Sequence, residues 1–154
     1  MTTANEEQKK YWSGKGGDIW VKRQESMDNM LFPLGEVALK KLNLKNSSIV
    51  LDIGCGCGST TLKIAKKVMP RGKVTGIDIS KAMLHRAKEL ALKNFLTNTK
   101  FLTLDVQTDN LPEKTFTEAY SRFGVMFFED PVQAFKNIYK SLGLGGKFSF
   151  VCWR

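Results

Sequence analysis

The stretch Ile49-Val50-Leu51-Asp52-Ile53-Gly54-Cys55-Gly56-Cys57-Gly58-Ser59-Thr60-Thr61 decides the fold of this chain. Its apolar start predicts a buried strand, a turn with glycine at alternate positions follows, and a helix-favouring segment runs from Thr61 to Val68. Because glycine lacks a Cβ, the three glycines allow a tight turn and let a ligand approach the backbone closely. A strand, a glycine loop and a helix in this order are typical of a nucleotide-type site at the carboxyl end of a parallel strand.

The loop differs from the dinucleotide-binding fingerprint at two positions. Asp52 lies just before the first glycine, and Ser59 stands where the last glycine or alanine of G-x-G-x-x-G/A is expected. A pyrophosphate binds amide donors and helix N-termini, and a nearby carboxylate repels it. A ligand that carries an ammonium or sulfonium group would instead be attracted. The loop therefore disfavours NAD, while a glycine-rich turn without any ligand stays open as an alternative.

The composition is that of an ordinary globular chain. The 154 residues are 42% hydrophobic and 25% charged, which allows one domain with a sizeable core. We find no signal peptide, and no apolar run approaches the roughly 20 residues of a membrane span. The three cysteines, two of them in the glycine loop, predict neither a disulfide framework nor a zinc site. We therefore expect no bound metal and a cytoplasmic location.

The formal net charge of +9 could indicate a nucleic-acid partner. However, the basic residues between Lys63 and Lys100 alternate with apolar positions over two helical segments. This spacing is typical of solvated helix faces. Nucleic acid is therefore disfavoured, but stays open, as a partner.

Residues 1–45 are expected to form a helical cap or lid over a ligand-binding domain at 46–154. The first ten residues are polar and are predicted to fray. The glycine-rich loop that ends at Trp20 carries tryptophans, which should pack because they are costly to expose. Apolar residues at helical spacing follow, and Pro33 among them predicts two short helices rather than one long helix.

Acidic residues follow the next two predicted strands. Asp78 ends the strand predicted at 74–78, where a doubly wound sheet would place its carboxylate against a pair of ribose hydroxyls. The alternative is that it is merely an acid at a helix N-terminus. Asp105 and Val106 follow the strand predicted at 100–104 and suit an adenine. A carboxylate can accept from the exocyclic amine, and an apolar side chain can cover a face of the ring.

The remaining elements are predicted from caps and turns. Ser80 is a favourable N-cap for the helix after the second strand, and Asp130, followed by a proline, should begin a later helix. The fourth strand is predicted at 116–121. A turn is predicted at 142–146, and the segment 147–153 is then expected to form a fifth strand.

In this order the motifs resemble those of class I S-adenosylmethionine-dependent methyltransferases, most closely the branch of ubiquinone and menaquinone biosynthesis enzymes. The likeness rests on the segment from Asp52 to Gly58, on Asp78, on Asp105 and on the glycine turn before Phe148. It implies an α/β fold with a Rossmann-like, doubly wound, mostly parallel sheet of strand order 3-2-1-4-5. It also implies a cofactor-binding set: Asp52, Gly54, Cys55, Gly56, Gly58, Asp78, Ile79, Asp105, Val106 and Ser121.

Such a sheet normally contains seven strands, and the sequence ends at Arg154, just after the fifth. We therefore expect a C-terminally truncated core that lacks strands 6 and 7. The fifth strand would then be an apolar edge, through which the chain could self-associate.

The resemblance implies methyl transfer from S-adenosylmethionine to a small-molecule acceptor, with S-adenosylhomocysteine as the product. Positioning supplies much of the catalysis in such a reaction, and no residue is identified as a general base. His85, in the second predicted helix after the glycine loop, favours a surface or packing role. Arg122 could line the cleft or pair with an acid such as Glu129.

Three rival functions remain. A base-amine methyltransferase of RNA or DNA is disfavoured, because Ser121-Arg122-Phe123-Gly124 stands where such enzymes carry an Asn/Asp-Pro-Pro-aromatic motif. An NAD-dependent dehydrogenase is disfavoured by Asp52 and Ser59. The third is a methyltransferase-like module that binds a partner and catalyses nothing.

Overall fold

A five-stranded parallel sheet forms the centre of the fold. The computed structural model describes residues 5–154. The strands in chain order are β1 (Ile49–Ile53), β2 (Lys73–Asp78), β3 (Thr99–Thr103), β4 (Phe116–Arg122) and β5 (Leu142–Val151). Hydrogen bonds place them in the order β3-β2-β1-β4-β5, which confirms the order predicted from the sequence. The direction of winding reverses between β1 and β4, where an open α/β sheet binds its ligands.

The central strand β1 is buried on both faces. Val50 pairs with Val74 of β2 on one side and with Glu118 of β4 on the other. Val50 and Leu51 have no exposed surface and belong to separate hydrophobic clusters on the two faces of the sheet. A strand in this position has to be apolar along its length. Asp52 is the exception to this rule in β1, because its carboxyl group is polar and yet only 1% exposed.

Residues 5–154 form six α-helices and one short 3-10 helix at Val125–Phe127. The α-helices are α1 (Glu6–Trp12), α2 (Lys15–Lys22), α3 (Gln24–Lys41), α4 (Ser59–Val68), α5 (Lys81–Lys93) and α6 (Pro131–Ser141). Both predicted N-caps are confirmed, because Ser80 Oγ accepts from the Met83 N–H at 3.4 Å and Asp130 Oδ1 accepts from the Gln133 N–H at 2.9 Å. No helix within the described range is long and apolar enough to cross a membrane.

The N-terminal segment is more helical than the sequence predicts. Of the ten residues expected to fray, the first four lie outside the described residues, and α1 begins at Glu6. The prediction of two helices around Pro33 is wrong, since α3 is one helix of 18 residues with the proline inside it. A proline removes one backbone donor from a helix. Packing of buried residues before and after the proline offsets that loss. These buried residues are Leu31, Gly35, Ala38 and Leu39.

The last strand begins earlier than predicted. The segment 142–146 is not a turn, because β5 already begins at Leu142. Its pairing with β4 shifts register between Phe116 and Glu118, and Gly145 lies in this irregular part with a φ of 75°. A bulge of this kind absorbs extra residues without ending the ladder. β5 lies at an edge of the sheet, and self-association through this edge stays a prediction.

Candidate functional site

A cavity of about 220 Å³ opens at the carboxyl edge of the sheet. Residues at the carboxyl ends of β1, β2 and β4 line it, together with the loop that joins β1 to α4. Side chains of α1, α2 and α3 line the rest of it. The cavity therefore lies at the reversal of strand order, between the glycine loop and the N-terminal helices.

The glycine loop forms one side of the cavity. Gly56 has a φ of 55°, and a Cβ on it would lie 3.7 Å from Met83 Sδ and 3.9 Å from Trp20 Nε1, both cavity-lining side chains. Gly58 is different, because a Cβ there would lie 2.8 Å from Ala87 Cβ, in the packing between the loop and α5. Gly56 therefore keeps space open beside the ligand site, whereas Gly58 allows the loop to pack against a helix.

Asp52 is the buried acid at the end of β1. The Thr61 hydroxyl of α4 donates to its Oδ2 at 2.6 Å. Burial raises the pKa of Asp52 to about 7, although this hydrogen bond and the positive charge of Arg122 act in the opposite direction. The site therefore holds a carboxyl group whose charge changes near neutral pH, and a cation bound beside it would favour the ionised form.

Asp78 ends β2 and connects it to the glycine loop. Its Oδ2 accepts from the Gly56 backbone N–H at 2.9 Å, and its Oδ1 accepts from the Ser80 backbone N–H at 2.9 Å. Burial raises the pKa of Asp78, and the backbone hydrogen bonds oppose that effect. Each carboxylate oxygen has about two lone pairs. Acceptor capacity therefore remains for hydroxyl groups in the cavity.

Asp105 follows β3 and contacts the N-terminal helix α1. Lys9 Nζ lies 2.9 Å from its Oδ2, and the side-chain Nδ2 of Asn5 donates to the same oxygen at 3.2 Å. Its Oδ1 accepts from the Gln107 backbone N–H at 3.0 Å. Burial acts to raise the pKa of Asp105, but these three donors outweigh it and the pKa is lowered. Asp105 is therefore ionised at neutral pH, and both of its carboxylate oxygens accept hydrogen bonds from the protein.

Arg122 lines the cavity from the end of β4. Its Nη2 lies 2.7 Å from Asp28 Oδ1 of α3, so it pairs with Asp28 and not with Glu129. Glu129 instead accepts from the backbone N–H of Asn5. The next residue, Phe123, stacks on Trp153 with 4.8 Å between the ring centroids. This end of the cavity therefore combines one ion pair with aromatic surface.

Aromatic side chains connect the N-terminal helices to the core. The Trp12 ring lies 5.9 Å from that of Trp20 and 5.1 Å from that of Phe127, edge-on in both cases. The Trp12 Nε1–H donates to Gln8 Oε1 at 3.1 Å. All four residues line the cavity. The expectation that the tryptophans pack is therefore confirmed, and they pack beside the cavity.

The structure brings eight of the ten predicted site residues to the cavity. These are Asp52, Gly54, Cys55, Gly56, Asp78, Ile79, Asp105 and Val106. Gly58 belongs to the same loop but does not line the cavity, because it packs against Ala87. Ser121 does not reach the cavity, because it is fully buried and its hydroxyl donates to the Ile53 carbonyl at 2.8 Å. Its neighbour Arg122 lines the cavity instead.

The sequence predicts a cap from residues 1–45 but names none of its side chains as site residues. The cavity-lining residues of this segment are Asn5, Gln8, Trp12, Trp20, Met27, Asp28, Met30 and Leu31. The tryptophans carried the clearest signal, because large aromatic side chains are costly to leave in water. His85, in contrast, has the expected surface position, with its side chain 78% exposed and Nε2 3.3 Å from a Glu89 carboxylate oxygen.

Comparison with known proteins identifies the family. The family of methyltransferase domains matches residues 50–146. The chain belongs to this family. Aklanonic acid methyltransferase of Streptomyces sp. (strain C5) is 35% identical to this methyltransferase domain over 101 residues, which cover 66% of this chain and 46% of that protein. Demethylmenaquinone methyltransferase of Geobacillus sp. (strain WCH70) is 30% identical over 112 residues, which cover 73% and 48%.

A solved structure supports the same assignment. An S-adenosylmethionine-dependent methyltransferase from Aquifex aeolicus superposes with a TM-score of 0.71 at 26% identity, covering 78% of this chain and 64% of that chain. The methyltransferase domain therefore has the class I fold, and its family's cofactor is S-adenosylmethionine. The chain spans about half the length of the curated relatives it matches.

The residues of the cavity fit that cofactor. Carboxylates stand at the ends of three strands, and S-adenosylmethionine carries an ammonium group, ribose hydroxyls and an exocyclic amine that can each donate to an acceptor. Gly56 leaves space that a Cβ would fill. Val106 and Ile79 add apolar surface beside the acids. The cavity is lined by four acids, Asp28, Asp52, Asp78 and Asp105, beside Arg122, and this balance of charge disfavours a pyrophosphate.

Proposed function

We propose that this methyltransferase domain binds S-adenosylmethionine and transfers its methyl group to a small-molecule acceptor. The observation that carries the proposal is the presence of Asp52, Asp78 and Asp105 in one cavity, around a glycine loop at the reversal of strand order. The names of the two curated relatives, which refer to aklanonic acid and to demethylmenaquinone, support a small molecule as the acceptor.

The chain's own residues would bind and orient the two reactants. Bound S-adenosylmethionine supplies a methyl group that is already activated, so positioning provides much of the rate. The glycine loop and Asp52 would hold the methionine end, since a carboxylate attracts an ammonium group. Asp78 would accept from the ribose hydroxyls. Asp105 and Val106 would hold the adenine.

The acceptor would lie between α3 and the end of β4. Met27, Met30 and Leu31 give this part of the cavity an apolar side, and Arg122 with Asp28 gives it one ion pair. Such a surface suits a mainly apolar acceptor with a polar group that meets the ion pair. Residues 1–45 would serve as a cover for it, and we place the protein in the cytoplasm, where its three cysteines stay reduced.

Two other functions remain testable. An RNA or DNA methyltransferase is the first, and the net charge of +9 favours it. It would bind nucleic acid with a steep dependence on salt. A module that binds the cofactor and a partner without catalysis is the second. It would bind S-adenosylhomocysteine and turn over no acceptor.

The deciding experiment is calorimetric titration with S-adenosylhomocysteine and, separately, with NADH. We expect micromolar binding of S-adenosylhomocysteine alone and at least about tenfold weaker binding by Asp78→Ala, because a charge-assisted hydrogen bond is lost. Asp18→Ala, at an exposed position of α2, serves as the matched control and should bind normally. Binding of NADH in preference, or of neither ligand by a folded sample, would contradict the proposal.

A further inference from the structure

Asn5 reaches the adenine end of the cavity from the beginning of α1. It has a φ of 68° and a ψ of 14°, a left-handed conformation that asparagine tolerates better than most residues. Its backbone N–H donates to Glu129, and its side-chain Nδ2 donates to Asp105 Oδ2. It is 5% exposed and lines the cavity. Two carboxylates therefore fix both the backbone and the side chain of this residue.

The orientation of the Asn5 amide follows from the chemistry of its partner. An ionised carboxylate only accepts hydrogen bonds, so the NH₂ group of Asn5 has to face Asp105 and the carbonyl has to face away. That carbonyl oxygen, Oδ1, is buried and receives no hydrogen bond from any residue in the range 5–154. A buried acceptor without a donor is costly. A ligand that donates to Oδ1 would remove this cost.

The carboxylate of Asp105 is already well occupied. Its Oδ2 receives hydrogen bonds from Lys9 and Asn5, and its Oδ1 receives one from the Gln107 backbone. Three of about four acceptor positions are therefore used by the protein itself. Within residues 5–154, the buried side-chain acceptor at this end of the cavity that still lacks a donor is the Asn5 carbonyl.

We propose that Asn5 is a specificity residue for the adenine of the cofactor, and that its Oδ1 accepts a hydrogen bond from the exocyclic amine. This inference rests on the proposed function. Asp105 then acts partly as a positioning residue, because its bond to Nδ2 holds the Asn5 amide with the carbonyl turned away from Asp105. The N-terminal helix thereby contributes to base recognition as well as covering the cavity.

The proposal predicts discrimination against a purine that carries oxygen in place of the amine. In S-inosylhomocysteine a carbonyl stands where S-adenosylhomocysteine has its NH₂ group, so two acceptors would face each other at Asn5. Sites built to hydrogen-bond a donor reject analogues that lack it, because buried polar groups are then left without partners. We expect the wild-type chain to bind S-inosylhomocysteine at least tenfold more weakly than S-adenosylhomocysteine.

The test is the ratio of the two dissociation constants, measured by calorimetry on the wild type, Asn5→Leu and Lys9→Met. Leucine branches at Cγ as asparagine does but cannot accept a hydrogen bond, so Asn5→Leu should reduce the ratio to within about threefold of one. Lys9→Met removes the other α1 donor to Asp105, and should change the affinity for both ligands while leaving their ratio within twofold of wild type.

Each outcome is decisive. An unchanged ratio in Asn5→Leu, with S-adenosylhomocysteine still bound, would overturn the role of Asn5 and leave the proposed function intact. Failure of the folded wild type to bind S-adenosylhomocysteine would overturn both. If Asn5→Leu does not fold, the side-chain ¹³C carbonyl resonance of Asn5 in the wild type decides the matter. It should shift with S-adenosylhomocysteine and much less with saturating S-inosylhomocysteine, and equal shifts would contradict the proposal.

Discussion

The guanidinium of Arg122 and the carboxylate of Asp28 lie 2.7 Å apart and connect the end of β4 to α3 across the cavity. Both side chains are largely buried, with 12% and 18% of their surface exposed. The same guanidinium lowers the pKa of Asp52, whose pKa burial raises. One arginine therefore holds a helix over the site and stabilises the negative charge beneath it.

Arg122→Met should weaken binding of S-adenosylhomocysteine at pH 7. Without the positive charge the pKa of Asp52 rises further above about 7, so less of the carboxyl is ionised to hold the ammonium group. We expect a loss of about threefold to tenfold, since one pKa unit corresponds to a tenfold change, and the loss should shrink by pH 9. Calorimetry from pH 6 to pH 9 measures it. Arg86→Met removes a surface arginine that pairs with Glu89, and an equal effect in this control would contradict the explanation.

Asp52→Asn should stabilise the chain at alkaline pH. The pKa of Asp52 is about 7 in the folded chain and near 3.8 when the group is exposed, so the folded state binds the extra proton between these values. The free energy of unfolding of the wild type therefore falls as pH rises from about 4 to about 7, and the penalty is complete above pH 7. Asparagine avoids it, which corresponds to a gain of up to roughly 4 kcal/mol at pH 8 and little at pH 4.

Urea unfolding of Asp52→Asn and wild type at pH 4, 6 and 8 tests this dependence. Asp18→Asn removes a carboxylate from an exposed position of α2 and serves as the matched control. A difference between Asp52→Asn and wild type that is the same at all three pH values would contradict the raised pKa of the buried carboxyl.

Gly58→Ala should destabilise the fold more than Gly145→Ala. Both glycines have positive φ, 80° and 75°, so both substitutions carry the cost of a left-handed alanine, about 1 kcal/mol. A Cβ at position 58 would also lie 2.8 Å from Ala87 Cβ, whereas one at position 145 would meet nothing within 4 Å. Overpacking should add about 1–3 kcal/mol to the loss at Gly58. Equal losses in the free energy of unfolding would mean that the loop moves away from α5 without cost.

The three cysteines should differ sharply in reactivity. Cys152 is exposed, while Cys55 and Cys57 are buried. Burial raises the pKa of Cys55 well above its usual value and that of Cys57 to about 12, so neither forms the nucleophilic thiolate at neutral pH. A thiol reagent such as DTNB should therefore modify one thiol quickly in the native chain. Cys152→Ser should abolish this fast phase, and a second fast thiol in native wild type would contradict the burial of the loop.

The central part of the fold could be predicted from the sequence because its signals are local. Asp52 and the glycines after it lie within one strand, loop and helix, and Asp78 follows one crossover later. The connections between parallel strands then restrict the strand order. The single helix around Pro33 could not be predicted in the same way. Burial of one of its faces stabilises it, and the sequence pattern does not show which face is buried.

The individual site residues of the N-terminal segment could not be predicted, because their contacts are distant along the chain. Asn5 binds a carboxylate 100 residues away and another 124 residues away. Its neighbours are polar, and polar terminal segments usually fray. Ser121 illustrates the opposite error. It lies at the correct strand end, but the alternation of side chains along β4 directs it into the interior and brings Arg122 to the cavity.

The central position of β1 affects how the chain folds during synthesis. Val50 pairs with Val74 on one side, and these two residues leave the ribosome close together. Its other partner, Glu118, is synthesised much later. At a translation rate of about 5–20 residues per second, one edge of this apolar strand waits for seconds without its neighbour. During that interval the nascent chain exposes a strand that could pair with another polypeptide, and chaperone binding to the emerging β1–β3 segment would protect it.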